Sequence, residues 1–295
     1  MEPMFAYARS LRLWWTASRF PLPLLWGRRG QLCRLEDLPP EQRHNPYILT
    51  GYRRCRRRAD CLLSVLQCHN ETVNIWSNLL ALAILFALLV EDHAGGRFAR
   101  LGVGLAHRAL LTAMALAYAA MLLLSAVYHT FNCTAEARSW YRLDFAGVWL
   151  SVVAYVLGFT ALQFRGAWRV AHLAAAILAA APSLALAAAP CFRDQRHDAT
   201  RVRAMGGFAL YSLLPLSHHA AYGDPRLVGC TLPGHLTVLV LLALSLFVFV
   251  TKLPERRWPG SVDLLGSSHQ IWHVGVGVCV LLAHELQLVY ATTTP

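Results

Sequence analysis

Charged residues are scarce in this sequence. Asp, Glu, Lys and Arg make up 15% of its 295 residues, whereas a soluble domain of this length carries roughly a quarter. Lysine is almost missing, since Lys252 is the one lysine among the 27 Lys and Arg residues. Hydrophobic residues reach 56% and come in long blocks. This composition argues against a soluble domain and predicts a membrane protein with one bundle of about six to eight spans.

Two further absences narrow the class of protein. None of the eight cysteines forms a CxxC pair, which argues against a zinc ribbon or a disulfide framework. No uninterrupted apolar stretch of the kind found in signal peptides occurs in the first 30 residues, so we expect the first span to act as the targeting signal. The net charge of +11 is attributed to membrane topology and anionic lipid, with no nucleic-acid partner.

The apolar blocks predict an all-α membrane protein with a seven-transmembrane-helix bundle. Each block is long enough to cross ~30 Å of hydrocarbon at 1.5 Å per residue. Residues 1–70 form a basic arm, 71–290 the membrane domain and 291–295 a short tail. Within the arm, RRRADCLLSVLQ predicts a short helix lying along the membrane surface. The predicted spans are 72–90, 108–130, 144–162, 168–190, 205–222, 234–251 and 268–290.

The distribution of basic residues predicts the orientation. With the N-terminus in the cytosol, 21 Lys and Arg lie on the cytosolic side and six on the other side. The positive-inside rule therefore favours a cytosolic N-terminus and a lumenal C-terminus. The glycosylation sequons at Asn70 and Asn132 then face the cytosol and should carry no glycan.

Four polar residues at the ends of predicted spans fall at one depth in the membrane. His129 closes the second span, Asp144 opens the third, and His269 and His273 open the seventh in the sequence SSHQIWH. In the predicted orientation all four lie just inside the cytosolic leaflet. Ionisable groups at membrane depth are rare and often functional.

Their chemistry is that of a metal site. His269 and His273 are four residues apart and share one helix face, and a third imidazole from His129 would complete the three protein ligands of an open zinc site. Asp144 could hold a water in the fourth position or take its proton, and Ser125 lies one turn before His129. The alternatives are histidines that only hydrogen-bond neighbouring helices and an aspartate that only caps a helix.

Other polar residues are interpreted structurally. Glu71 and Asn74 are expected to hydrogen-bond neighbouring helix ends, and a direct catalytic role is the less favoured reading. Glu255 and Arg256 are expected either to pair on the surface or to hold a neighbouring loop. The remaining buried-type histidines are assigned to structure or helix interfaces, namely His172, His218, His219, His235 and His284.

Three long motifs make the sequence recognisable: NPYILTGYR…HNETVNIWS, SAVYHTFNC…RLDFAGV and KLPERRWPGSVDLLGSSHQIWH. Together they resemble the progestin and adipoQ receptor family, which is related to the haemolysin III-like membrane proteins. The resemblance implies Zn²⁺ held by His129, His269 and His273, with Asp144 as the aspartate and Ser125 as the serine of the motif. The first motif departs from the family at Asn78, where a histidine usually stands.

The residues of these motifs are most similar to those of the Golgi-resident branch of the family, which tethers Raf kinase. That likeness implies a multi-pass Golgi protein, receptor-like, whose cytosolic arm binds Raf kinase and lowers MAP kinase signalling; the plasma membrane or another endomembrane is the alternative location. The alternative function is a zinc-dependent hydrolase of ceramide-like lipid amides, with Asp144 and Ser125 as catalytic residues and the lipid lying between helices. A hormone or steroid receptor is the least favoured, because the predicted lumenal loops are short.

Overall fold

The described residues are mostly helical and include one short pair of strands. A computed structural model describes residues 32–54, 57–188 and 198–293, so residues 1–31 of the predicted N-terminal arm and the end of the tail lie outside the described residues. The helices are α1 (Arg58–Ser64), α2 (Thr72–His93), α3 (Arg97–Arg100), α4 (Leu105–Phe131), α5 (Ala137–Gln163), α6 (Gly166–Ala188), α7 (Asp198–Tyr211), α8 (Leu213–Tyr222), α9 (Pro225–Thr251) and α10 (Ser268–Thr293).

Five of the described helices are long and apolar enough to cross a membrane, namely α2, α4, α5, α9 and α10. The prediction of an all-α membrane protein is therefore confirmed. The predicted fourth span corresponds to α6. The predicted fifth span is divided between α7 and α8, which meet at Ser212. Pro215 lies in the first turn of α8, where its missing N–H is not needed. The count of seven spans stays a prediction.

Helices α5, α7 and α9 begin seven to nine residues before the predicted spans. Helix α5 begins at Ala137, so Asp144 lies two turns inside it and does not open it. The prediction followed the apolar block, but a helix continues beyond the hydrocarbon wherever charged residues such as Arg138 and Arg142 can face water. Helix α9 begins at Pro225, where the side chain of Asp224 accepts hydrogen bonds from the first free N–H groups. It ends at Lys252, which adopts the left-handed conformation with φ 55°.

Helix α10 lies at the centre of the bundle. It packs against α2, α4, α5 and α9, and its apolar side chains join those of α2, α4 and α5 in the main core. The helices approach closely at small residues, as is common in membranes. A Cβ added to Gly275 of α10 would lie 1.9 Å from Ser245 Oγ of α9. A second core joins α5, α6 and α7 around Trp149 and Phe208.

The outward faces of the spans are apolar. Side chains such as Phe86, Leu178 and Phe247 are largely exposed in the isolated chain. In water this would be costly, whereas in a bilayer the same side chains contact lipid. The exposed apolar surface therefore agrees with a multi-pass membrane protein.

The described part of the arm covers one end of the bundle. Strands β1 (Leu32–Cys33) and β2 (Tyr52–Arg53) pair antiparallel, with two 3₁₀ turns between them. The helix predicted within RRRADCLLSVLQ is present as α1, with Leu62 and Leu63 exposed on it and Leu66 exposed just after it, as expected of a helix on a membrane surface. The Sγ atom of its Cys61 lies 3.6 Å from that of Cys133, just after α4.

Candidate metal centre

Three histidines meet beneath the arm. The Nε2 atoms of His129 and His273 are 3.0 Å apart, those of His269 and His273 3.1 Å, and those of His129 and His269 3.3 Å. Three or more His, Cys, Asp or Glu side chains close enough to hold one metal ion occur together at a single place among the described residues, and these three histidines are that group. The end of α4 and the start of α10 thus bring together the residues predicted from sequence.

The donor set fits Zn²⁺. A tetrahedral ion bound at about 2.0–2.1 Å holds its nitrogens about 3.3–3.4 Å apart, close to the three distances observed. Imidazole is a preferred zinc ligand, and three protein ligands leave one position open. His129 and His273 are buried and His269 is partly buried, so the site is sheltered from bulk water.

A carboxylate that the sequence did not assign to the site binds one of the rings. Glu71, at the N-terminus of α2, places Oε2 2.7 Å from His129 Nδ1. Because a carboxylate only accepts, the Nδ1–H of His129 donates to it and leaves Nε2 free to bind a metal. Asn74 also donates to Glu71, and the buried His69 ring accepts from the backbone N–H of Glu71. Glu71 was expected to hydrogen-bond neighbouring helix ends, and His129 does lie in the last turn of α4, but the sequence did not show that the partner would be a candidate metal ligand.

The charge of Glu71 is favoured by its surroundings. Burial raises the pKa of its carboxyl, but the neighbouring His129 and His269 imidazoles and the hydrogen bonds from His129 and Asn74 outweigh burial and hold that pKa well below its ordinary value. The carboxylate form is the one that orients a metal-binding histidine.

Asp144 and Ser125 lie beside the cluster. The Ser125 hydroxyl donates to the Asp144 carboxylate, which also interacts electrostatically with His129. The second oxygen of the carboxylate, Oδ1, is buried and has no hydrogen-bond partner. A buried polar oxygen without a partner is costly, and it marks a place where a ligand or water could bind. The structure therefore brings both predicted catalytic candidates to the histidines.

Asn78, the departure from the family motif, also touches the cluster. Its Nδ2 atom lies 2.8 Å from the backbone oxygen of Asn74, 3.0 Å from His273 Nδ1 and 3.2 Å from Ser125 Oγ. Asn78 is 2% exposed. The sequence marked this position as unusual but did not predict a contact with a histidine of the site.

A buried glutamate fixes the start of α10 and with it two of the three histidines. Glu255 is fully buried and accepts from the backbone N–H of Ser268 at 2.8 Å and from the Ser268 hydroxyl. Asn45 of the arm donates to the same carboxylate at 3.1 Å. Of the two roles expected for Glu255, holding a neighbouring loop is confirmed and a surface pair is wrong.

A buried arginine fixes the end of α4. Arg53 donates to the backbone oxygens of His129 at 2.6 Å and Thr130 at 3.2 Å. It also donates to Ser64 of α1 and to the side chain of Asn132. The last carbonyls of a helix lack partners within the helix, and Arg53 donates hydrogen bonds to two of them here. The arm therefore holds the histidine of α4 through Arg53 and the histidines of α10 through Asn45 and Glu255.

The five histidines assigned to structure or helix interfaces have their contacts away from this centre. His172 Nε2 is 2.7 Å from His218 Nδ1, and His235 is bonded to Tyr155 and Gln163. His284 lies 2.9 Å from Asp92 in the core. Their assignment to structure and helix interfaces agrees with these contacts.

Comparison with known proteins identifies the family. A family model described as Haemolysin-III related matches residues 66–284, well over half of the chain. Progestin and adipoQ receptor family member 4 of Homo sapiens is 30% identical, with 80% of this chain and 84% of that protein covered. The chain belongs to the progestin and adipoQ receptor family.

Two other relatives show how widely the similarity extends. Family member 3 of Mus musculus is 29% identical, with 89% of this chain and 87% of that protein covered. Heptahelical transmembrane protein 1 of Arabidopsis thaliana is 26% identical, with 89% and 82% covered. The resemblance stated from the three motifs is confirmed. As a progestin and adipoQ receptor family protein with apolar helices of membrane length, the chain is a multi-pass membrane protein.

Proposed function

We propose that this chain is a receptor-like membrane protein with seven spans that holds Zn²⁺ with His129, His269 and His273. The observation that carries the proposal is the set of three Nε2 atoms within 3.0–3.3 Å of one another. Glu71 supports it, because a carboxylate on Nδ1 orients a histidine for metal binding. The name of the heptahelical relative supports the count of seven spans.

Metal content of the purified protein tests this proposal. The wild type should hold about one zinc per chain, and His273→Ala should hold much less. His172→Ala is the matched control, since His172 contacts another histidine but lies outside the cluster. Equal zinc in the wild type and in His273→Ala would contradict the proposal.

We further propose that the protein tethers Raf kinase at the Golgi membrane through its basic arm and so restrains MAP kinase signalling. The arm motif resembles the branch with that role, and the family member 3 relatives align over 89% of this chain. The structure adds a physical reason for a regulator. Arg53 attaches the arm directly to the end of α4, and Asn45 attaches it to the start of α10 through Glu255, so a change at the site would reach the arm.

Deletion of residues 1–31 tests the tether while leaving the docked segment from Leu32 in place. Raf kinase should then lose its co-localisation with the protein at the Golgi, while the shortened protein still reaches that membrane. Unchanged Raf retention would show that these residues are not the tether. Arg34→Ala is a control, because Arg34 is an exposed residue of the part of the arm that remains.

A second candidate function is hydrolysis of a ceramide-like lipid amide. The partnerless buried Oδ1 of Asp144 favours it, because an aspartate there could accept a proton from an attacking water. Zn²⁺, when bound, would polarise the amide carbonyl and acidify water. Ser125 would hold Asp144 in place through its hydroxyl, and Glu71 would hold His129. The acyl chain would lie between the spans.

Release of fatty acid from labelled ceramide tests this second function. Activity should require zinc and should fall by at least 10²-fold in Asp144→Asn, in keeping with the loss of a general base. Ser151→Ala on the same helix is the control, since Ser151 contacts Met121 and not the site. Wild-type protein that holds zinc but releases no fatty acid would leave the tether as the function.

A further inference from the structure

Hydrogen-bond directions around the three rings can be followed atom by atom. The backbone oxygen of Asn74 can only accept, so the atom of Asn78 that lies 2.8 Å from it must be the amide nitrogen Nδ2. The same Nδ2 lies 3.0 Å from His273 Nδ1. Its second hydrogen faces both His273 Nδ1 and Ser125 Oγ, which lies 3.2 Å from the same nitrogen. Because a hydrogen-bearing nitrogen faces it, Nδ1 of His273 is the accepting atom of its ring.

This contact decides where the proton of His273 lies. A neutral imidazole carries one hydrogen, and if Nδ1 accepts, the hydrogen is on Nε2. Nε2 of His273 lies 3.0 Å from Nε2 of His129, which is free to accept because His129 donates through Nδ1 to Glu71. Without a metal, a directed chain results, from Asn78 to His273, from His273 to His129 or to His269 Nε2 at 3.1 Å, and from His129 to Glu71.

The two histidines are therefore prepared in opposite ways. Glu71 holds His129 in the tautomer that binds a metal through Nε2, whereas Asn78 holds His273 in the tautomer whose Nε2 carries hydrogen. We infer that Asn78 opposes metal binding at His273 and is the residue that sets the zinc affinity of the site. This inference rests on the zinc site proposed above and adds a positioning residue to it.

Zinc binding requires an unfavourable rearrangement of hydrogen bonds at Asn78. His273 must give up its Nε2 hydrogen and gain one on Nδ1, with no net release of protons, and Nδ1–H then needs an acceptor. Rotating the amide of Asn78 would supply its oxygen, but that oxygen would come to lie against the Asn74 oxygen, where Nδ2 now donates. Two facing acceptors repel. The bound ion should therefore be exchangeable rather than permanent.

Substitutions at Asn78 test the inference through zinc affinity, measured by competition with a chromophoric chelator. Asn78→Asp supplies an acceptor for Nδ1–H, and partners of metal-binding histidines typically change metal affinity about 10- to 100-fold. We expect Asn78→Asp to bind zinc at least about tenfold more tightly than the wild type. Asn78→Leu, which removes the opposing donor without adding charge, should bind several-fold more tightly.

The control separates hydrogen bonding from charge. Ser77→Asp adds the same charge one residue away, where the serine hydroxyl bonds only the Asn74 oxygen, and should change affinity much less than Asn78→Asp. Wild-type affinity equal to or above that of both Asn78 variants would overturn the inference, as would an equal gain in Ser77→Asp. Failure of the proposed zinc site itself would be distinct, because neither wild type nor variants would bind zinc in the presence of the intact histidines.

Discussion

At the residue scale, the three histidines were predictable and their partners were not. The spacing of His269 and His273 shows a shared helix face, and the span ends place His129 at the same depth. Glu71 and Asn78 lie at the start of α2, far away in the sequence, and they reach the rings only because α2 packs between α4 and α10. No spacing rule links them to the cluster. Only the packing of the helices could show which ring each one contacts.

Glu71→Gln should lower zinc affinity by about tenfold or more, because the glutamine oxygen is a weaker acceptor and carries no charge to strengthen the His129 ligand. The chelator competition titration measures it. Glu136→Gln is the matched control, since that carboxylate stands at the same end of the bundle but contacts the exposed Arg58. Unchanged affinity in Glu71→Gln would show that the carboxylate does not tune the site.

At the scale of elements, the ends of helices matter more than their apolar middles. The predicted spans agree with the helices over their hydrophobic centres, because length and hydropathy determine those parts. Their ends depend on long-range partners. Arg53 meets the end of α4 and Glu255 the start of α10, and neither contact follows a local pattern. Helix α5 begins seven residues before Asp144 because its first turns carry charged residues that can face water. Glu255 is buried by its long-range partners, although the sequence also suggested a surface pair.

Arg53→Met should destabilise the protein strongly. It leaves the His129 and Thr130 carbonyls without their partner, at about 1–3 kcal/mol for each buried acceptor. Arg54→Met is the matched control, because the neighbouring arginine is 61% exposed and meets only Asp37 at 3.6 Å, a kind of pair that contributes little. Thermal unfolding in detergent compares the two. Equal melting temperatures would contradict the role assigned to Arg53.

The close contact between α9 and α10 gives a second prediction at this scale. Gly275→Ala should destabilise the bundle by about 1–3 kcal/mol, the usual cost of overpacking a tight interface, since the new Cβ meets Ser245. Gly229→Ala in α9 has open space around it and should be neutral or slightly stabilising. Thermal unfolding again decides, and a stable Gly275→Ala would show that the helices can move apart at little cost.

At the scale of the whole molecule, composition determined the class of protein and the motifs determined the family. The orientation stays a prediction, and it can be tested through glycosylation. In cells, Asn70 and Asn132 should carry no glycan, whereas a glycosylation acceptor appended after Pro295 on a flexible spacer should be modified. Sensitivity to a glycosidase, read as a mobility shift, measures both. A glycan on Asn70 or Asn132 would reverse the predicted topology.

The near-absence of lysine has a practical and a biological consequence. Lys252 is the one side-chain amine of the chain, and it stands where α9 turns back towards the histidines, close enough for its charge to act on His269. This chain offers one lysine side chain to reagents that acylate primary amines. The same side chain is the one site for enzymes that attach ubiquitin or acetyl groups to lysine. Any such modification would therefore lie beside the candidate metal centre.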